Sequence, residues 1–445
     1  MSSRREKGTQ RSEQEDLDMK KKLISAILCG MMAATMIPVG VMADEGVTLN
    51  VTTTFAGNES NVELYQNTIK AWEDETGNKV EDASATSDET FKARVISDFE
   101  TGAEPDVLFF FNGNDANPFV EAGKVVSIED IRAEYPEYAA NMKDDMIPAS
   151  PADGVQYAVP FYGYWEGLYC NKTVLEAAGV EIPGADTTWE AFLEDCQKIK
   201  DAGYTPIATS LAKEPHYWFE FAIYNHDSAK THTIVPEAVD DEAGAAWQAG
   251  LADIKDLYEK GFLSENTNTA TADEVFQSFL EDKAAFYLDG SWKMGGIKEG
   301  TDNIDNFTVT YVPGNGDRKS TDIIGGLSSG WYISSKCWED EAKRDAAVSL
   351  IESFINDETV SKFAGTATTA LKNGVEIDES NLTNLEKDAL AMLKDTTGIT
   401  GAAQDLVTQD ERAPIFDNMP QIVEGQTEIE EALEEVLEII AENAE

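Results

Sequence analysis

Hydrophobic and polar positions alternate along the chain in two different periods, and the switches between them divide it into elements. Val47, Leu49 and Val51 alternate with Thr48, Asn50 and Thr52, which predicts a strand. Val62, Tyr65, Ile69 and Trp72 then recur at helical spacing, with Gly77 as the stop. A second helix carries Phe91, Val95 and Phe99, with Ser87 or Asp88 as its cap and Gly102 beyond its end. The unbroken apolar run Val107 to Phe111 predicts a parallel strand covered on both faces.

The same rhythm returns after residue 160. Trp189, Phe192, Leu193, Cys196 and Ile199 mark a helix capped by Thr187 or Thr188, and Thr205 to Thr209 reads as a strand. Trp247, Leu251, Ile254 and Tyr258 mark another helix, ended by Gly261. Val275, Phe276, Phe279 and Leu280 precede a short strand, Ala284 to Leu288. Ile429, Leu433, Val436 and Ile440 form an amphipathic C-terminal helix. Strands alternating with helices predict an α/β fold. A length of 445 residues suggests two lobes, and no low-complexity linker separates them.

The N-terminus reads differently. Lys20, Lys21 and Lys22 precede an apolar stretch from Leu23 to Met42, and Val41-Met42-Ala43 places small residues where a signal peptidase requires them. Residues 20–43 are therefore expected to be an export signal cleaved after Ala43, and residues 1–18 an upstream extension preceding a second Met. The protein is expected to work outside the cytoplasm, in a periplasm or cell envelope or extracellularly. An uncleaved anchor is the alternative, but Gly30, Pro38 and Gly40 dilute the stretch.

The formal net charge of −50 repels nucleic acid and anionic lipid and favours a soluble monomer. It does not imply disorder, because 42% of the chain is hydrophobic. Beyond Cys29 in the signal, the cysteines are Cys170, Cys196 and Cys337; they read as small buried hydrophobes, with a Cys170–Cys196 disulfide as the alternative. His216, His226 and His232 match no zinc spacing, and no nucleophile elbow, P-loop, dinucleotide fingerprint or complete EF-hand is present. We therefore expect no catalytic residues, no metal and no cofactor.

Binding is better supported. Aromatic and polar residues cluster where strands should end: Tyr164, Trp165 and Glu166 between glycines, His216 and Trp218 together, and Asp289 with Trp292. Flat rings match the C–H face of a sugar, and polar side chains match its hydroxyl rim. The alternative is that these rings are ordinary core. Asn114 and Asp115 follow the Val107–Phe111 strand, where α/β sheets place ligands and where an ordinary turn would also favour Asn and Asp.

Several segments in order resemble the extracellular solute-binding proteins, family 1, which serve ABC importers of sugars. They are Gly102 to Val107, Asp153 to Pro160 leading into Tyr169 to Lys172, Thr188 to Phe192, Lys283 to Phe286 with Gly290-Ser291-Trp292, and Gly325-Gly326 before Trp331. The resemblance implies a periplasmic-binding-protein-like fold of two α/β lobes around a ligand cleft. It places the first lobe at 44–162 plus 330–372 and the second at 166–327 plus 378–445. Crossings between the lobes would fall near Gly163–Glu166, Ser328–Gly330 and Lys372–Gly374.

By the same resemblance Trp292 is the sugar-stacking ring, Asn114 and Asp115 are hydroxyl partners, and Trp165, Glu166 and the Gly325-Gly326 backbone form the cleft floor. Asn58, Glu59 and Arg412 are further carry-overs. The implied function is to bind a carbohydrate, as an oligosaccharide, and deliver it to the permease subunits of an ABC importer. A secreted glycoside hydrolase and a non-catalytic adhesin or lectin are the alternatives. Many Gram-positive relatives carry a lipid-modified cysteine at the end of the apolar stretch, whereas Cys29 lies inside it, so no lipid anchor is expected.

Overall fold

The computed structural model describes residues 46–57, 59–226, 232, 234–316, 318–375, 377 and 379–443. The export segment, its cleavage point at Ala43, Cys29 and Asn58 lie outside the described residues.

Two sheets organise the chain from Val47 onward. The first has the order β2 (Lys79–Asp82), β1 (Thr48–Thr52), β3 (Val107–Phe111), β9 (Ser329–Ile333). In β1 the alternation holds: Leu49 and Val51 are fully buried, and Thr48 and Asn50 are exposed. β1 pairs in parallel with β2 and β3. β3 is covered on both faces, as its apolar run predicts, but its second neighbour β9 runs antiparallel, with Phe109 opposite Trp331. One face packs on the helices Val62–Thr76 and Glu341–Ile355 through Tyr65, Trp72, Ile351 and Phe354. The other packs on Phe91, Val95 and Phe99 of the helix Glu89–Thr101. Asp88 starts that helix by accepting the N–H of Phe91 at 2.7 Å, and Gly102 ends it at φ 79°.

The second sheet has the order β10 (Gly398–Thr400), β8 (Asp322–Gly326), β4 (Tyr164–Asn171), β6 (Ala284–Gly290), β5 (Thr205–Ala208), with β7 (Phe307–Thr310) also paired to β4. Its core joins Cys170, Phe192, Cys196, Trp218, Trp247, Leu433 and Val436. The three cysteines Cys170, Cys196 and Cys337 are buried free thiols, so the disulfide alternative does not hold. β4 begins at Tyr164, next to the first sheet's territory, and pairs there with β8: Tyr164 faces Gly326 and Trp165 faces Gly325. The chain returns to the first sheet through β9, directly after β8. The approach at this crossing is close. A Cβ on Gly163 would lie 2.1 Å from the carbonyl oxygen of Gly326, so only glycine fits.

This is a two-lobe α/β fold, with both sheets coated by helices. Among the described residues, no helix is long and apolar enough to cross a membrane.

Candidate ligand-binding cleft

A cavity of about 110 Å³ lies where strand ends of the first sheet meet the crossing and strand ends of the second. From the first sheet's side come Phe55, Glu59, Glu89, Lys92 and Phe111. The crossing contributes Tyr162, Gly163, Tyr164, Ser328 and Ser329. From the second side come Glu166, Glu214, His216, Tyr217, Trp292, Lys293, Gln404 and Asp405.

The rings form one wall. Trp292 sits 5.8 Å from Tyr164 and 6.3 Å from Tyr217, both at tilted angles. The Gly290 that precedes Trp292 by two residues leaves room for the indole, because a Cβ there would meet the ring at 2.2 Å. The Trp292 carbonyl accepts the Ser60 backbone N–H at 2.9 Å and also the Ser60 hydroxyl, and Ser60 Oγ accepts the Gly295 N–H at 2.8 Å. The tryptophan backbone is thereby tied to the loop after β1, and its ring is free to meet a ligand.

The cavity's other surface is acidic. Glu166 is 1% exposed, and its Oε2 has no hydrogen-bond partner. Burial, reinforced by Glu220, Asp289 and Asp405, pushes its carboxyl well above the usual range. Burial likewise raises Glu59, Glu214 and Glu220 to about 8 and Asp405 to about 7. Lys293, buried beside them, lies 3.7 Å from Asp289 and is held protonated by Asp289, Glu214 and Glu59 against its desolvation. His216 moves the other way: burial and the nearby Lys92 lower it to about 3, so its imidazole is neutral, with Nδ1 unpartnered.

Of the residues expected from sequence, the structure brings Glu59, Tyr164, Glu166, His216 and Trp292 together around the cavity. The others among the described residues do not line it. Trp165 is a core residue, 2% exposed, whose indole N–H bonds Thr366 Oγ1 at 3.1 Å. Trp218 packs against Phe192 inside the second core, because every residue of the helix His216–Asn225 is buried. Asp289 is fully buried, accepting the Tyr287 hydroxyl at 2.5 Å, and acts on the cavity from behind, through its charge on Lys293 and the neighbouring carboxyls. Gly325 and Gly326 serve the β4–β8 pairing behind Tyr164. Asn114 donates to the Leu406 carbonyl and accepts from Asn117 at 3.0 Å, which consumes its amide.

Asp115 and Arg412 are consumed by each other. Arg412, 2% exposed, meets Asp115 through two N–H donors at 2.8 and 3.0 Å and Glu89 at 2.9 Å. Lys92 completes the cluster, 3.0 Å from Glu89 and 3.4 Å from Asp115. Burial would raise Glu89, but Lys92 and Arg412 bring it down to about 2. A guanidinium so paired is a clasp between the start of the Glu89–Thr101 helix and the helix Gln409–Phe416.

Reading the sequence missed Glu89, Lys92, Glu214, Lys293, Gln404 and Asp405. Glu214 and Lys293 each lie within two residues of a ring that was singled out, and that proximity was the available signal. The remaining four come together only in the fold, and nothing local marks them.

A pair of helix-coated α/β lobes around an aromatic and acidic cleft is an architecture suited to holding a small solute. The model of the bacterial extracellular solute-binding proteins matches residues 56–360, and the chain belongs to that family, whose members bind substrates without transforming them. A multiple sugar-binding protein of Streptococcus mutans is 22% identical over 229 residues, 47% of this chain and 49% of that protein, so the chain spans about half the length of that curated relative. Among solved structures, a chitin oligosaccharide binding protein superposes with a TM-score of 0.76 at 21% identity, covering 89% of this chain and 99% of the other. The GacH receptor of Streptomyces glaucescens superposes with a TM-score of 0.70 at 18% identity, covering 89% and 98%. The fold is that of the sugar-binding solute receptors of ABC importers.

Proposed function

We propose that the protein is an exported receptor that binds a carbohydrate in the cleft between its lobes and hands it to the permease of an ABC importer. The observation that carries this reading is the cavity wall of Trp292, Tyr164 and Tyr217 facing Glu166, Glu59, Glu214 and His216. Rings of that kind take the apolar face of a pyranose, while carboxyl and imidazole groups take its hydroxyls. The sugar-binding, chitin-oligosaccharide-binding and acarbose-binding proteins that it resembles support the same class of ligand.

In this reading the lobes are 44–162 plus 330–372 and 166–327 plus 378–445, and they bend about the Gly163–Glu166 and Ser328–Gly330 crossings. The ligand bridges Glu59 on one side and Trp292 on the other, and the closed form is what the permease meets. Residues 20–43 act as the export signal, and the mature protein works as a monomer.

The test combines a thermal-shift screen of mono- and oligosaccharides with small-angle scattering of the purified mature protein. A sugar that raises the melting temperature and compacts the protein supports the proposal. A sugar that binds without compaction removes the closure step, and no response to any sugar removes the carbohydrate.

A further inference from the structure

Charge around the cavity does not balance. Glu89 is matched by Lys92 and Arg412, and Asp88 is used as a helix cap. Lys293 answers Asp289, with Glu59 and Glu214 beside it. That leaves Glu166, Glu220 and Asp405, none of which forms an ion pair among the described residues. Glu220, fully buried, accepts the Gln404 N–H at 3.2 Å on one oxygen and has no partner for the other. Glu166 lines the cavity with its own Oε2 unpartnered. Tyr164 stands among the three, its hydroxyl accepting the Ala402 N–H at 3.2 Å.

We propose that the cleft selects a cationic sugar, a hexosamine or an oligosaccharide carrying one, whose ammonium group sits between Glu166 and Asp405 beside the rings of Tyr164 and Trp292. This rests on the carbohydrate reading above and narrows it. Buried carboxylates need a partner charge or must take up protons. A neutral sugar supplies hydroxyl donors but leaves the carboxyls' charge to be neutralised by protons. An ammonium group compensates that charge, gives Glu166 Oε2 its missing donor, and gains from the faces of two aromatic rings. His216, Gln404, Ser328 and Ser329 supply uncharged polar atoms for the hydroxyl rim, which a simple alkylammonium ion would leave unused. The raised carboxyls describe the same cleft without its cation: bringing in a positive charge returns them toward ordinary values and releases protons.

Calorimetry on the full mature protein decides this. The probes are glucosamine and its β-1,4 disaccharide, glucose and cellobiose as neutral counterparts, N-acetylglucosamine as the uncharged amide, and choline and putrescine as cations without the sugar frame. The expected result is at least tenfold tighter binding of the amino sugar than of its neutral counterpart, with the advantage falling below threefold in Glu166→Gln. Asp405→Asn, at a half-buried position, is expected to reduce the same ratio and serves if the first variant does not fold. Equal or tighter binding of neutral sugars overturns the cationic selection and leaves the carbohydrate reading standing. Binding of choline or putrescine with no sugar bound overturns both. The absence of any amino-sugar binding overturns the selection as well.

Discussion

Arg412→Met separates a structural clasp from a ligand contact. The guanidinium is 2% exposed and spends its donors on Asp115, Glu89 and the Val407 carbonyl at 2.9 Å. Methionine keeps much of the volume and none of the charge. Asp115, itself 2% exposed, is then left with Lys92 at 3.4 Å as its remaining cation. Removing one member of a buried pair typically costs 3–5 kcal/mol. Because Lys92 stays, we place the loss at the lower end, about 3 kcal/mol. Urea unfolding of the mature protein, followed by far-UV circular dichroism, measures it. The double variant Arg412→Met/Asp115→Asn is expected to recover about 1 kcal/mol or more, since it removes the orphaned carboxylate. A single-variant loss below about 1 kcal/mol, the size seen for exposed pairs, would refute the clasp.

Trp292→Ala leaves the Ser60 backbone bond in place and removes only the ring. A sugar face covering about 50–80 Å² of indole is worth about 1.3–2 kcal/mol, so affinity should fall about 10- to 30-fold; unchanged affinity in a calorimetric titration would take the ring out of the site. For the empty protein, Glu59, Glu214 and Glu220 keep protons up to about pH 8 when folded and lose them near the ordinary carboxylate range when unfolded. The folded state therefore binds more protons in this range, and stability falls as pH rises through 7 to 8. His216 and His232, lowered to about 3 and 4, oppose this only below their ordinary value of 6.5. The melting temperature should thus drop between pH 6.5 and 8.5, and a flat or rising curve would contradict the buried carboxyls. Gly163→Ala would drive a methyl onto the Gly326 carbonyl and should cost at least about 1–3 kcal/mol, read by urea unfolding; a neutral substitution would mean that the crossing relaxes freely.

Most of the frame was legible because its elements carry strong periodic signals. The alternation of β1, the apolar run of β3 and the capped helices Glu89–Thr101 and Trp189–Asp201 all lie where the pattern places them. β2, Lys-Val-Glu-Asp, escaped because it is an exposed edge strand with no apolar face to betray it. The antiparallel seat of β9 beside β3 was equally invisible, since more than two hundred residues separate the strands. The site divides the same way. Trp165 and Trp292 stood out because glycines beside rings mark places where a ligand can approach, and of the two only Trp292 lines the cavity, Trp165 being core. Trp218 misled because its helix is buried all round, so the position of a ring in it does not say which face meets a ligand. Asp115 and Arg412 looked like free polar groups, and their partnership spans 297 positions, which no local pattern carries.

Calorimetric titration of the mature protein with a panel of neutral and amino sugars, from one to four rings, decides whether the cleft is a carbohydrate site. One-to-one binding of at least one sugar is expected, weakened tenfold or more when Trp292 becomes alanine. Heats indistinguishable from dilution across the whole panel, or a bound sugar indifferent to Trp292, would contradict it.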